Sequence, residues 1–207
     1  MMGLIGKKIG MTQLFGEKGE VVPVTVIQAG PCTVTEIRST DRNGYVAVQL
    51  GFGTNKETRF TRPVLGQFKK RNLPPARHLK EFRVDDVGAL EVGQSVTVSL
   101  FEKGQYVDVQ GVTKGRGFAG VVKRHKFVAG HASHGPTHGK QPGSIGSSAY
   151  PSRVIKGKRL PGHMGAVNLT IKHLEVVGVD AEQHVLLVRG AIPGPPNGLV
   201  IVKQRKV

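Results

Sequence analysis

Short runs rich in Val, Ile, Leu and Thr recur towards both ends of the chain, and glycine, proline, asparagine or aspartate separates them. Some runs alternate apolar and polar residues, which turns one face of a strand to a core and the other to solvent. The seven clearest begin at Val21 (VVPVTVIQAG), Tyr45 (YVAVQLGF), Gln94 (QSVTVSLF), Gln105 (QYVDVQGV), Asn168 (NLTIKHLEVVGVD), His184 (HVLLVRGAI) and Gly198 (GLVIVK). This pattern predicts antiparallel strands in a small barrel or sandwich.

The middle of the chain has no such pattern. After about Val122 the apolar residues are scattered, and neither a helical nor a strand period is sustained until the run at Asn168. Ordering a residue costs roughly 1–2 kcal/mol of backbone entropy, and so sparse an apolar surface does not offset that cost. Such a segment stays mobile or takes its order from a partner.

We therefore expect a mainly β fold, a small closed antiparallel barrel with a long irregular basic extension inserted between its strands. The barrel domain is predicted over 1–110 and 166–207, and the extension over 111–165. A helical insertion is predicted near 61–80, because RPVLGQFKKRN follows Thr61 and Pro74 and Pro75 close what comes after it.

The charges are segregated along the chain. The formal net charge is +16, yet no Asp or Glu occurs from residue 109 to residue 174. Eleven of the thirty Lys and Arg and six of the eight histidines fall in that stretch. A solvated surface normally mixes positive and negative side chains, as the rest of this chain does. The asymmetry indicates a partner that is itself negative, with nucleic acid as the first candidate.

Other classes of function find little support. No apolar run approaches the ~18 residues of a spanning helix, and the N-terminal residues lack the apolar region of a signal peptide. A single cysteine, Cys32, excludes an internal disulfide and a multi-cysteine zinc site, and we expect it to be a small buried residue of a reduced, intracellular protein. No grouping of carboxylates, Ser/His/Asp or Cys/His supports catalysis, so we expect no enzyme activity, cofactor or small-molecule substrate.

Three histidines leave an alternative open. His131, His134 and His138 have a spacing that is compatible with three nitrogen ligands to zinc. They lie among glycines and prolines, however, and no acid within twenty residues along the chain is available as a second-shell partner. Imidazoles that donate to nucleotides or stack on them are the favoured interpretation.

Two glycine-rich basic segments fit contact with phosphate. GRGFAG, from Gly115, matches a dinucleotide-binding pattern but lacks the acid expected ~20 residues later. Its glycines still let the backbone approach phosphate closely, while Arg116 can bind it and Phe118 can stack or pack. KGKRLPGHMG, from Lys156, places Lys156, Lys158 and Arg159 beside glycines in the same acid-free stretch.

Five segments in order resemble the universal large-subunit ribosomal protein L-three family in its bacterial form. They are GLIGKKIGMTQLF (Gly3–Phe15), KGRGFAGVVKRH (Lys114–His125), HGPTHGKQPGSIGSS (His134–Ser148), KGKRLPGHMG (Lys156–Gly165) and LLVRGAIPGPPNGLVIVK (Leu186–Lys203). The resemblance implies a six-stranded barrel related to those of translation factors. It also implies an arm that runs through 23S rRNA towards the peptidyl-transferase centre of a cytoplasmic ribosome.

The resemblance further implies direct 23S rRNA binding, a role in early assembly of the large subunit, and contacts with the fourteenth and nineteenth proteins of that subunit. A non-ribosomal RNA-binding protein and, less favoured, a zinc-dependent enzyme are the alternatives. The side chains expected to contact rRNA are Lys7, Lys8, Lys114, Arg116, Phe118, Lys123, Arg124, His125, Lys126, His131, His134, His138, Lys140, Gln141, Ser144, Arg153, Lys156, Lys158, Arg159 and His163.

Overall fold

The fold is built almost entirely from antiparallel strands. The computed structural model describes residues 2–85, 87–88, 90–135 and 137–205. Within these residues twelve strands form, and in chain order they are β1 (Gly3–Phe15), β2 (Val21–Ala29), β3 (Cys32–Arg38), β4 (Ala47–Thr54), β5 (Ala76–Arg83), β6 (Ser95–Val96), β7 (Tyr106–Val112), β8 (Phe118–Ala119), β9 (Gly162–His163), β10 (Asn168–Asp180), β11 (Val185–Arg189) and β12 (Leu199–Gln204).

Six of these strands close into a barrel. Their order around it is β1-β12-β7-β10-β11-β2, and each neighbouring pair is antiparallel. The predicted mainly β fold with a small closed antiparallel barrel is therefore confirmed. The chain segment between β7 and β10 carries the predicted irregular extension, since its only strands within the described residues are the two-residue β8 and β9.

A second sheet, in the order β5-β4-β3-β6, was not part of the expectation. One of the seven predicted runs, QSVTVSLF, is strand only at Ser95–Val96 and then turns into a 3-10 helix at Val98–Leu100. The other helices of the described residues are α1 (Thr40–Asn43), α2 (Arg62–Lys70), α3 (Val121–His125) and a 3-10 turn at Glu57–Arg59. The helical segment expected near 61–80 is thus shorter, because α2 ends at Lys70 and β5 begins at Ala76.

One hydrophobic core joins the barrel to the second sheet. Leu4, Val109 and Leu186 from the barrel pack in the same cluster as Leu50 and Phe82 from the sheet. Alternate residues supply this core in several strands, as Val107 and Val109 do in β7 and Val200 and Val202 in β12. The interior of the molecule therefore holds both sheets in one packed body.

Cys32 lies in that core, as expected for a small apolar residue. Its thiol donates to the carbonyl oxygen of Ile5 at 3.4 Å. Burial raises the pKa of the Cys32 thiol to about 11, which keeps the group protonated and unreactive near neutral pH.

Glycine allows the first strand to pack tightly in the barrel. A Cβ atom on Gly3 would lie 2.3 Å from the carbonyl oxygen of Val202 on β12, a distance that backbone atoms do not permit. Side-chain-free positions of this kind in β1 interrupt its apolar pattern. They explain why the strand period is hard to read in GLIGKKIGMTQLF.

Lys8 is buried, with 8% of its surface exposed. Its ammonium group donates to the carbonyl oxygens of Ile192 at 2.9 Å and Gly194 at 3.3 Å. Lys8 is among the RNA contacts expected from the sequence. In the structure, its ammonium group instead binds the loop between β11 and β12 within the barrel domain. A buried charge needs partners of this kind, so Lys8 is not presented to a ligand.

The chain divides into two compact units, one of Met1–Thr113 with Asn168–Val207 and one of Lys114–Val167. The first contains the barrel and the second sheet. The second, called the insertion below, contains β8, α3 and β9. Over the part of the chain that the structure describes, none of the helices has the length and apolar content needed to cross a bilayer.

Replacing Lys8 by methionine should destabilise the barrel. Lys8→Met keeps most of the side-chain volume but leaves two carbonyl oxygens without their donor, at a cost of about 1–3 kcal/mol. Chemical denaturation measures this as a lower free energy of unfolding. The matched control is Lys7→Met, next along β1, which should change that free energy by less than about 0.5 kcal/mol. Equal stability of the Lys8→Met variant and the parent would contradict a structural role for this ammonium group.

Candidate nucleic-acid interface

Two limbs of the insertion pair at its base. Phe118 lies opposite His163 and Ala119 opposite Gly162 in the β8–β9 ladder. The ladder continues through backbone hydrogen bonds, in which Arg116 donates to Met164 at 2.8 Å and Met164 donates to Gly117 at 2.9 Å. The start and the end of the insertion are therefore bonded to each other although more than forty residues separate them along the chain.

A short helix strengthens this pairing. α3 follows Gly120 and ends at His125, and the next residue, Lys126, caps it in a left-handed conformation with φ of 59°. Arg124 on α3 donates from its guanidinium to the carbonyl oxygen of Leu160 at 2.7 Å, and Nε2 of His125 lies 3.1 Å from the same oxygen. Two side chains expected to contact RNA therefore also join the two limbs.

Gly165 marks the closest approach of the limbs. A Cβ atom there would lie 2.1 Å from the carbonyl oxygen of Lys114, and the φ of this glycine is +78°. Only glycine meets both requirements without strain. The backbone of one limb thus passes directly against the backbone of the other.

Beyond the base the insertion packs little of its surface. Every residue from 140 to 150 is exposed. Large apolar side chains are exposed in the insertion as well, including Val128 at 96% and Tyr150 at 88%. The hydrogen bonds there are local, such as that from the amide of Gly130 to the carbonyl of Gly139 at 2.8 Å. Apolar burial cannot stabilise this part of the chain on its own.

The expected RNA contacts are nearly all accessible. Of the twenty side chains, seventeen are exposed, Lys7 and His125 are half-buried, and Lys8 is buried. Phe118 is exposed at 78%, which leaves its ring available for stacking. All four ion pairs found within the described residues lie outside the insertion. The insertion has no carboxylate of its own, so its cations are not neutralised within it.

Five of the expected contacts converge on one cavity of about 640 Å³ in the insertion. The side chains that line it come from both ends of the insertion and from its middle, and they are His125, Lys126, His138, Gln141 and Arg159. Phe127 lies in the same wall, with its ring centroid 6.1 Å from that of His125. Cations, an amide and flat rings around one concavity form a surface suited to a nucleotide.

Lys7 lines a different cavity, of about 620 Å³, in the barrel domain. Arg77, His78 and Asn197 lie in the same wall. Burial and, after it, the positive charge of Arg77 lower the pKa of His78, which favours the neutral imidazole. These three residues were not among the expected contacts, because they lie outside the acid-free stretch and only the fold brings them to Lys7.

The histidines of the insertion do not assemble into a metal site. Among residues 2–85, 87–88, 90–135 and 137–205, no group of three or more His, Cys, Asp or Glu side chains is placed to hold a metal ion. His131, His134 and His138 are all exposed. Only His138 of the three lines the cavity described above.

The sequence of this chain is similar to those of known proteins. The family model described as Ribosomal protein L3 matches residues 84–184, a range that contains the whole insertion. A curated relative from Brachyspira pilosicoli, named large ribosomal subunit protein uL3, is 49% identical over 204 residues, which is 99% of this chain and 94% of the relative. This chain belongs to the ribosomal protein L3 family.

Other members of the family match over nearly their full length. The large ribosomal subunit protein uL3 of Pelotomaculum thermopropionicum is 50% identical over 202 residues, covering 98% of this chain and 96% of the relative. That of a Picosynechococcus strain is 50% identical over 202 residues, covering 97% and 95%. The likeness thus extends through the barrel domain as well as the insertion.

Gly165→Ala should separate the limbs of the insertion without unfolding the barrel. The new methyl group would collide with the backbone of Lys114, and the amides of Arg116 and Met164 should then lose protection from hydrogen exchange. Gly157→Ala is the matched control, since Gly157 has a φ of +84° but nothing within 4 Å of its Cβ position.

Both variants carry the strain of a positive φ, about 1 kcal/mol, but only the first carries the collision. Exchange rates measured by NMR should therefore rise at Arg116 and Met164 in Gly165→Ala alone. Unchanged protection in that variant, or an equal loss in both variants, would contradict the close pairing of the limbs.

Proposed function

We propose that this chain is a structural component of the large ribosomal subunit, and that it binds 23S rRNA directly through the insertion. Membership of the ribosomal protein L3 family supports the first part, because the matched relatives are named as large-subunit proteins and the match covers almost the whole chain. No catalytic role is proposed.

The proposal of rRNA binding rests on the exposure of the Lys and Arg side chains in the insertion and on the absence of acids that could neutralise them. They are exposed, no carboxylate of the insertion neutralises them, and many of them sit beside glycines. Folded RNA supplies the missing negative charge at high density, and bound cations displace its counterions. Lys and Arg then bind phosphates where the thin glycine backbone can approach closely.

The form of recognition follows from the same chemistry. Contacts to phosphate and sugar position a protein on RNA but carry little base-sequence information. Stacking on exposed rings such as Phe118, and hydrogen bonds in the cavity lined by His138, Gln141 and Arg159, add contacts with unpaired nucleotides. The insertion therefore binds one folded RNA shape, while the barrel domain anchors it.

The position in the particle rests on the family resemblance. The insertion reaches towards the peptidyl-transferase centre, and the exposed residues 140–150 lie at or near its far end. The protein joins the subunit early, where it braces neighbouring rRNA segments. Its protein contacts are the fourteenth and nineteenth proteins of the large subunit.

Binding of the full chain to a 23S rRNA fragment should weaken steeply with salt. With roughly 6–10 phosphate contacts, affinity falls by about 10³–10⁵ between 50 and 200 mM salt. Neutralising Lys156, Lys158 and Arg159 together, as glutamine, should make the log–log slope shallower by about three. The melting temperature of the barrel should stay within a few degrees of the parent.

A matched triple variant, Lys69→Gln, Lys70→Gln and Lys103→Gln, removes the same charge from exposed positions of the barrel domain. Its slope should change much less. Filter binding or fluorescence anisotropy over a salt series measures all three proteins. A flat salt dependence of the parent would overturn direct rRNA binding through phosphates, and equal slopes for the two triple variants would overturn the assignment of the contacts to the insertion.

A further inference from the structure

The outer half of the β1–β2 hairpin presents one continuous face. The register pairs Met11 with Thr25, Gln13 with Pro23 and Phe15 with Val21. Directly paired residues, and residues two apart on the same strand, lie on the same face of a sheet. Phe15 and Val21 are therefore direct neighbours, and Met11 lies on the same face four residues before Phe15, beyond the Gln13–Pro23 pair. We call Met11, Phe15 and Val21 the hairpin face.

This face is apolar and exposed. Phe15 is 73% exposed, Val21 54% and Met11 51%. Single exposed apolar residues are common on protein surfaces, but cross-strand neighbours form a patch, and such patches mark interaction sites. The patch lies in the barrel domain, so it is not part of the acid-free insertion that is proposed to bind RNA.

The same part of the hairpin has open edges. β12 pairs with β1 over Gly3–Lys7, and β11 pairs with β2 over Val24–Gln28. Within the described residues, no strand is paired to the outer side of Gly10–Phe15 or of Val21–Val22. Exposed apolar edges promote aggregation unless something covers them. A cover is thus expected in the working state of the protein.

The charges in the turn between β1 and β2 indicate which kind of molecule covers the hairpin face. Between Ile9 and Val26 the charged residues are Glu17, Lys18 and Glu20, a net charge of −1 in a chain of +16. A hydrogen bond from the amide of Gly16 to the carbonyl of Glu20, at 2.8 Å, closes the turn that carries them. Two carboxylates beside an apolar patch repel RNA phosphates and attract Lys or Arg.

We propose that the hairpin face docks a second protein of the same particle, one that presents apolar side chains to Phe15 and Val21 and basic side chains to Glu17 and Glu20. The proposal rests on the proposed function for the particle in which the partner is found. It divides the molecule by chemistry, with RNA bound by the acid-free insertion and protein bound by the acidic, apolar tip of the first hairpin.

Site-specific photo-cross-linking in assembled large subunits tests this division. A benzophenone amino acid at position 15 should cross-link to another protein of the subunit, and RNase treatment should leave the product intact. The same amino acid at position 150, in the insertion, should cross-link to rRNA. An RNA adduct, an adduct to a second copy of this chain, or no adduct at position 15 would each overturn the docking proposal.

The two positions separate the two hypotheses. An rRNA adduct at position 150 without a protein adduct at position 15 removes the docking surface and leaves the proposed function in place. Absence of the chain from large subunits removes the proposed function itself. A protein adduct at position 15 together with an rRNA adduct at position 150 supports both.

A second variant guards against an incidental neighbour at position 15. With the cross-linker at position 11, Phe15→Thr with Val21→Thr keeps strand-forming residues but removes both apolar anchors. The yield of the protein adduct should fall roughly tenfold, as for loss of central contacts in an interface. The matched control, Val92→Thr with Val112→Thr, alters exposed valines elsewhere and should leave the yield unchanged. Equal yields in both would overturn the proposal.

Discussion

The absence of carboxylates from residues 109–174 is the constraint on which the organisation of this protein depends. Cations placed close together without acids repel one another, and a polypeptide relieves that repulsion only through water, salt or a negative partner. Within the described residues, every ion pair lies outside the insertion. The insertion is thus built to receive its neutralising charge from another molecule, and folded RNA has both the charge density and the crevices for it.

The barrel domain follows the opposite rule. It buries a continuous apolar core, mixes acids with bases on its surface, and pairs the buried ammonium group of Lys8 with the carbonyl oxygens of Ile192 and Gly194. Its stability is therefore internal. The base of the insertion is intermediate, because backbone bonds and the link from Arg124 to Leu160 join its limbs while the middle remains exposed. In the proposed function, folding depends on the barrel domain and RNA binding on the insertion, so we expect the barrel to form before the insertion binds its partner.

Local pattern predicted much of this fold, whereas the nucleic-acid interface that charge predicts in the insertion stays a prediction. Runs of Val, Ile and Thr predicted β2, β4, β7, β10, β11 and β12, because alternating burial leaves a direct trace in sequence. The sequence pattern did not predict β1, because glycines interrupt its apolar residues. It did not predict β5 either, because most residues of that strand are charged or polar, among them Arg77, His78, Lys80 and Glu81. The cavity that gathers His125, His138 and Arg159 joins residues far apart in the chain, and Lys8 differs from Lys7 only in the side of the strand it faces. Such features depend on register and tertiary contacts, which local pattern does not encode.

Hydrogen exchange across the insertion tests the central claim most directly. In the RNA-free protein, peptides from residues 140–150 should exchange at the rates of an unstructured chain, while peptides from β12 in the barrel should be strongly protected. Addition of the 23S rRNA fragment should slow exchange at residues 140–150 at least roughly tenfold and leave β12 unchanged. Protection of residues 140–150 equal to that of β12 before any RNA is added would contradict the account, because the insertion would then hold its conformation without a partner.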